Sequence, residues 1–90
     1  MANVANLTEI DATGDVTTDS TYLYAVTLTS ASEATTLEIR AGGSEGTVLL
    51  RLEAPGNETV AVPLGAAVLC ADGIHATITG SGGHASLVHS

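Results

Sequence analysis

The chain has 90 residues, ten of them acidic and two basic, so its formal net charge at pH 7 is −8 and it has room for one small domain. Arg40 and Arg51 are the only basic residues, which excludes the basic clusters that nucleic acids and anionic membrane surfaces require. Cys70 is the only cysteine, which excludes an intrachain disulfide, and a core without Phe or Trp must be aliphatic.

Residues 1–19 carry weak apolar alternation between Val4 and Ile10, followed by a turn over residues 11–15. They are interpreted as an opening strand or as an N-terminal arm that becomes ordered on a partner, ahead of a β-sandwich domain over residues 20–90. The first residues lack a charged segment followed by an apolar one, which predicts no signal peptide. No apolar run approaches the length of a membrane span, so we expect assembly inside a cell.

Residues 20–30 predict one long strand, because β-branched and aromatic residues are frequent there. In an unbroken strand, Tyr22 and Tyr24 would share one face with Val26 and Leu28. The residues between them would lie on the other face, so both faces are expected to be partly covered.

Residues 35–54 predict a β-hairpin around a Gly-rich turn over residues 42–46. Apolar residues alternate with polar ones on both strands, and the expected inward set is Leu37, Ile39, Ala41, Val48, Leu50, Leu52 and Ala54. The outward charged side chains are expected to oppose one another, namely Glu38 and Arg40 against Arg51 and Glu53. Leu49 lies among these outward residues, where a polar side chain is expected.

The remaining sequence predicts four shorter strands separated by tight turns, over residues 60–64, 66–70, 74–79 and 84–89. A type II turn is expected where Gly56 follows Pro55. Pro63 marks an edge strand or a bulge, because proline cannot donate to a β-ladder. Seven or eight short strands are typical of an all-β fold, here a single small antiparallel β-sandwich or jelly-roll-like domain.

Three histidines are the candidates for metal binding or catalysis: His75, His84 and His89. The four residues between His84 and His89 place these two side chains on opposite faces of a strand. We therefore expect solvent-facing histidines and no intrachain metal site, although a symmetric oligomer could bring copies of one histidine together on its axis. No serine lies in a nucleophile elbow, and we expect neither a cofactor nor enzyme activity.

Apolar side chains at exposed positions predict an interface instead. Leu49 lies on an outward face, and Tyr22 and Tyr24 lie close together on one strand. Val4 and Leu7 belong to the segment that would contact a partner if residues 1–10 form an arm. We therefore take these five residues as the candidate interface.

Four segments of the C-terminal two-thirds form a pattern of strands and short turns: LEIRAG (37–42), GTVLLRL (46–52), VAVPLG (60–65) and DGIHATITG (72–80). This pattern, over residues 35–89, resembles small β-rich virion proteins of tailed phages, and in particular capsid decoration (cement) proteins. The resemblance implies a compact β-sandwich or jelly-roll domain. It carries over no catalytic residues.

The resemblance also implies a non-enzymatic role on the capsid surface of a virion, after synthesis in the host cytoplasm. The expected partner is the major capsid protein, whose capsomers a decoration protein spans, commonly as a homo-oligomer, with a trimer favoured. Two alternatives remain open. One is a fibre or tail module that binds host-surface glycans through its tyrosines, and the other is a connector at the neck or baseplate.

Overall fold

The structure, a computed structural model, describes residues 6–90 and contains eight β-strands and no helix in that range. In chain order the strands are β1 (Asn6–Ile10), β2 (Gly14–Thr17), β3 (Thr21–Thr29), β4 (Thr35–Ala41), β5 (Thr47–Ala54), β6 (Thr59–Cys70), β7 (Ile74–Thr79) and β8 (His84–His89). Sheet A has the order β1-β8-β3-β6 and sheet B the order β2-β7-β4-β5. All pairs are antiparallel. The two packed sheets confirm the predicted all-β sandwich.

The core lies between the two sheets and is built from aliphatic side chains contributed mainly by the central strands. Its largest members are Leu23, Leu28, Leu37, Ile39, Ile74 and Leu87. Cys70 is also fully buried, and burial raises the pKa of its thiol because the thiolate is poorly solvated there. This cysteine is a structural core residue, as its apolar neighbours in the sequence predict.

The N-terminal segment forms strands of both sheets. β1 pairs with β8 in sheet A, and β2 pairs with β7 in sheet B. Of the two alternatives for residues 1–19, the described portion over residues 6–17 therefore contains strands, β1 and β2, joined by a bend over residues 11–13.

A β-bulge changes the predicted alternation of β3. Leu23 pairs with His89 and Ala25 pairs with Val88, so Tyr24 is an extra residue between them. The bulge moves Val26 to the inward face, the one that Leu23 occupies. The prediction that the tyrosines share a face with Val26 and Leu28 is therefore wrong, and both tyrosine rings are exposed on the outer face of sheet A.

The predicted hairpin over residues 35–54 forms, with Leu37 opposite Leu52 and Glu38 opposite Arg51. Val48, however, pairs with the outward Arg40, so its predicted inward position is wrong. A second bulge interrupts the register, because Ile39 pairs with Leu50 while Arg40 pairs with Val48. Leu49 is the extra residue, and its half-buried side chain packs against the core. Its predicted outward position is wrong, because the bulge breaks the alternation on which that prediction depended.

Residues 59–70 form one strand where two had been predicted. In β6, Pro63 pairs with Ala25 and Val68 pairs with Leu23, so four residues, 64–67, loop out of the ladder between these pairs. Positive φ at Gly65 allows this excursion. β6 is an edge strand of sheet A, which confirms the position predicted from Pro63.

The turn after β5 differs from the predicted type II turn. Positive φ occurs at Asn57 (61°) and not at Gly56. Gly56 is required for a different reason, since a Cβ atom there would lie 2.5 Å from the carbonyl oxygen of Ser32. A close approach between two loops, and not the turn type, explains this glycine.

Candidate functional site

Among residues 6–90, the exposed large apolar side chains lie on the outer face of sheet A. They are Leu7, Tyr22, Tyr24 and Leu69, which are 69%, 45%, 37% and 54% exposed. We call these four residues the apolar face. They come from three of the four strands of sheet A, so the fold assembles the surface from distant parts of the sequence.

The strand register makes this surface continuous. Leu7 pairs with Val88, Val88 with Ala25, and Ala25 with Pro63, which gives an apolar row across all four strands. Tyr22 pairs with Leu69, and Tyr24 at the bulge lies between this pair and the row. Side chains that oppose one another in antiparallel strands point to the same face, so one partner surface could contact them together.

Charge is almost absent from sheet A. Its four strands contain one acidic residue, Glu9, and no basic residue, whereas the strands of sheet B contain five charged residues, including both arginines. A chain of net charge −8 repels most acidic surfaces. At the apolar face, the repulsion of an acidic partner and the cost of removing charged side chains from water are both smallest.

The predicted interface residues separate in the structure. Leu7, Tyr22 and Tyr24 lie together on the apolar face, while Leu49 lies on the other sheet and packs against the core. Val4 lies outside the described residues. Sequence reasoning missed Leu69, because the run 66–70 is apolar throughout and marks no outward position. In the structure, Leu69 is exposed and the next residue, Cys70, is buried.

The outer face of sheet B is polar and holds a network of ion pairs. Arg40 Nε donates to Glu38 Oε1 and Arg51 Nε donates to Glu38 Oε2, both at 2.7 Å. The hydrogen bond from Arg51 is the main reason that the pKa of the Glu38 carboxyl lies below its usual value. The predicted opposition of Glu38 and Arg51 is confirmed. Glu53 instead lies opposite Thr36.

His75 belongs to the same polar face but is buried. Its Nδ1 lies 2.8 Å from Asp15 Oδ1, and its neighbours in register are Asp15 on β2 and Arg40 on β4. His89 is also buried, with Nε2 2.8 Å from Thr8 Oγ1. The expectation of solvent-facing histidines is wrong for these two, because each lies beside a polar partner from an N-terminal strand.

A shallow depression of about 350 Å³ lies on the polar face. It is lined by Thr36, Glu38, Arg51, Glu53, Thr77 and Thr79, together with Leu37 and Leu52. Over residues 6–90, no three His, Cys, Asp or Glu side chains group as metal ligands would. In the same range, no helix has the length and hydropathy to cross a membrane.

Lowering the pH should remove the contribution of the Glu38 ion pairs to stability. Because the folded pKa of Glu38 lies below its usual 4.5, the unfolded chain binds more protons at this carboxyl than the folded protein does. The contribution is complete above pH 4.5 and is lost as the pH falls through the folded pKa. Urea unfolding should show that Glu38→Gln is less stable than the wild type at about pH 7, and that the difference shrinks as the pH is lowered below 4.5.

Glu45→Gln provides the control for this titration, since Glu45 is an exposed carboxylate in the turn between β4 and β5. Its replacement should change the free energy of unfolding little at either pH. A difference between wild type and Glu38→Gln that stays constant with pH would contradict the assignment.

Comparison with protein-family models, with curated proteins and with solved structures found no match to this chain. The likeness to phage virion proteins therefore depends on the sequence pattern alone.

Proposed function

We propose that the chain is a non-enzymatic structural protein of a virion, a capsid decoration protein that binds the major capsid protein through the apolar face. The observation that carries the proposal is the gathering of the exposed large apolar side chains on the outer face of one sheet. Monomeric proteins rarely leave contiguous apolar surface exposed unless it has a partner.

A broad face of the sandwich is large enough for a stable contact. The sandwich measures 41 by 30 by 17 Å along its principal axes, so one broad face exceeds the roughly 800 Å² that each partner contributes to a standard interface. Burial of the exposed Leu and Tyr side chains stabilises such a contact by about 25 cal/mol per Å² of apolar area. Aromatic residues are also enriched among those that dominate binding energy.

Such a protein acts by stabilising an assembled state. If it binds the shell and not the free capsid subunits, binding shifts the assembly equilibrium towards the shell by mass action. The acidic loops and the charged sheet B then face away from the contact and keep free copies apart before docking. The shell presents the same partner surface at many identical sites.

A glycan-binding fibre or tail module is the second candidate, favoured by one observation. The only two aromatic side chains of the chain, Tyr22 and Tyr24, are both exposed on the same face. Such rings can stack against the apolar face of a sugar, and they would then be the residues that contact the ligand. A connector at the neck or baseplate would use the same apolar face to bind a different neighbouring protein.

A charge placed on the apolar face should weaken binding to the shell. Leu69→Glu introduces a carboxylate at an exposed position of edge strand β6, so it leaves the core intact but must be desolvated when the contact forms. In co-sedimentation of the purified protein with shells from its source, we expect the affinity to fall about tenfold or more. Ser44→Glu, in an exposed turn of sheet B, adds the same charge and should bind as the wild type does.

Equal binding by Leu69→Glu and the wild type would overturn the assignment of the apolar face.

Quantitative mass spectrometry of purified particles separates the roles that share this face. Hundreds of copies in a simple ratio to the major shell protein support decoration, whereas a handful support a connector or fibre. Absence from the particle overturns the virion role, and retention on glycans by wild type but not by Tyr22→Ala would support the glycan-binding module.

A further inference from the structure

Strand β5, one of the two edge strands of sheet B, forms a second surface that is separate from the apolar face. Within the described range, β5 pairs with β4 on one side and with no strand on the other. Such an edge presents unpaired N–H and C=O groups and is a template for another strand. The other edge on this side of the sandwich, β6, is blunted by Pro63 and by its looped-out residues 64–67, whereas β5 contains no proline.

The regular part of β5 is short and has a defined centre. The bulge at Leu49 ends regular pairing on one side, and Pro55, which cannot donate a hydrogen bond, follows the last residue of the strand on the other. The segment between them is residues 50–54, and its middle residue is Leu52. A second strand can therefore add in antiparallel register over five residues centred on Leu52.

Centring on Leu52 makes the segment complementary to itself. When an antiparallel strand pairs with its own copy about a two-fold axis through residue 52, residue 51 lies opposite residue 53 of the other copy. Arg51 then faces the partner's Glu53, and the symmetry repeats this pair on the other side of the axis. On the inward face, Leu52 meets its own copy, and Leu50 lies opposite the partner's Ala54.

The side chains involved are available for these contacts. Arg51 is 70% exposed, and within residues 6–90 its only hydrogen bond uses Nε, which leaves the two Nη groups for another carboxylate. Glu53 is exposed on the same outer face. Leu50 and Leu52 are only half-buried because β5 lies at the edge of the sandwich, so a neighbouring strand would complete their burial.

We propose that β5 pairs with β5 of a second copy of this chain about a two-fold axis through Leu52. The pairing joins the two copies of sheet B into one continuous eight-stranded sheet. It goes beyond the role of the apolar face, which remains free on the outside of each copy. The expected trimer does not arise this way, because a three-fold axis cannot pair a strand with its own copy.

Charge reversal on β5 tests this pairing. Glu53→Arg places Arg51 opposite an arginine in a homodimer, and Arg51→Glu places Glu53 opposite a glutamate. Each variant alone should dimerise at least tenfold more weakly than the wild type in sedimentation equilibrium. A mixture of the two variants pairs arginine with glutamate at both positions, so we expect it to form a mixed dimer close to wild-type affinity.

Glu33→Arg is the matched control, because Glu33 is an exposed acid in the loop before β4, away from the edge. It makes the same charge change and should dimerise as the wild type does. A wild type that stays monomeric, a wild type with the mass of a trimer, or an undiminished dimer of Glu53→Arg would each overturn the proposal. Arg51→Glu also loses the hydrogen bond to Glu38 and could fail to fold for that reason. In that case, the oligomeric states of the wild type and of Glu53→Arg still test the proposed dimer. None of these results depends on binding to a shell, so the dimer and the decoration role fail separately.

Discussion

Leu37→Ala is expected to lower the free energy of unfolding by about 2–5 kcal/mol. Leu37 is fully buried in β4, a central strand of sheet B, between Leu52 on one side and Ile78 on the other. Removing its side chain deletes apolar contacts on both sides and leaves a cavity that sheet strands cannot close. The total stability expected for a domain of this length is roughly 5–13 kcal/mol, so this one change removes a large part of it.

Thr36→Ala is the matched control, because Thr36 is the neighbouring residue of β4 and is exposed on the outer face. Its replacement should cost less than about 1 kcal/mol, the range of strand propensities. Urea unfolding monitored by circular dichroism measures both variants. Similar losses for Leu37→Ala and Thr36→Ala would show that the core does not lie where the two sheets place it.

The residue pattern of the hairpin was sufficient to predict its two strands and the opposition of Glu38 and Arg51. Leu37 and Ile39 alternate with Glu38, the Gly-rich turn separates the two strands, and each part of the pattern has one simple cause. Period-2 alternation identifies the inward face wherever the strand is unbroken. For that reason the all-β class and the position of the core could be predicted from the sequence.

Bulges are where the prediction failed, because one extra residue reverses the alternation that follows it. Tyr24 in β3 and Leu49 in β5 are both such residues. Neither is marked by a glycine or proline that would signal a bulge in the sequence. Their positions depend on pairing with strands far away in the chain, which one sequence pattern cannot supply.

Burial of the histidines could not be predicted for a related reason. His75 is buried because Asp15, sixty residues earlier, lies opposite it on β2. Local sequence shows only a polar residue on the outward side of a strand. The apolar face has the same origin, since Leu7 and Val88 become neighbours only when β1 adds to β8. Pairings of distant strands therefore determine most of the candidate site.

The two faces of the sandwich divide the charge of the chain in a way that suits assembly. Sheet A carries Glu9 as its one charged strand residue, while both arginines lie on sheet B, Arg51 on the edge strand β5 and Arg40 on the neighbouring strand β4. In an acidic chain, these arginines are the only strong attractive charges available to another copy. The two proposed contacts, an apolar face for one partner and an arginine–glutamate edge for a second copy, would therefore use different interactions on different surfaces.

Gly73→Ala is expected to cost about 2–6 kcal/mol, from two independent causes. Gly73 has a φ of 96°, a conformation that costs a residue with a side chain about 1–3 kcal/mol. An added Cβ atom would also lie 2.2 Å from the carbonyl oxygen of Thr17, and relieving such an overlap costs about 1–3 kcal/mol. To remove this overlap, the turn between β6 and β7 must move away from the end of β2.

Two other glycines separate these causes. Gly65 has a φ of 75° but no atom within 4 Å of an added Cβ, and Gly43 has neither positive φ nor a near neighbour. Gly65→Ala should therefore cost only the conformational part, about 1–3 kcal/mol. Gly43→Ala should be neutral or stabilising by up to about 1 kcal/mol, because it restricts the unfolded chain. Thermal and urea unfolding should show the largest loss of stability for Gly73→Ala, a smaller loss for Gly65→Ala and no loss for Gly43→Ala. A loss at Gly73 no larger than at Gly65 would mean that the turn does not contact Thr17, and that β2 is not held against β7 as described.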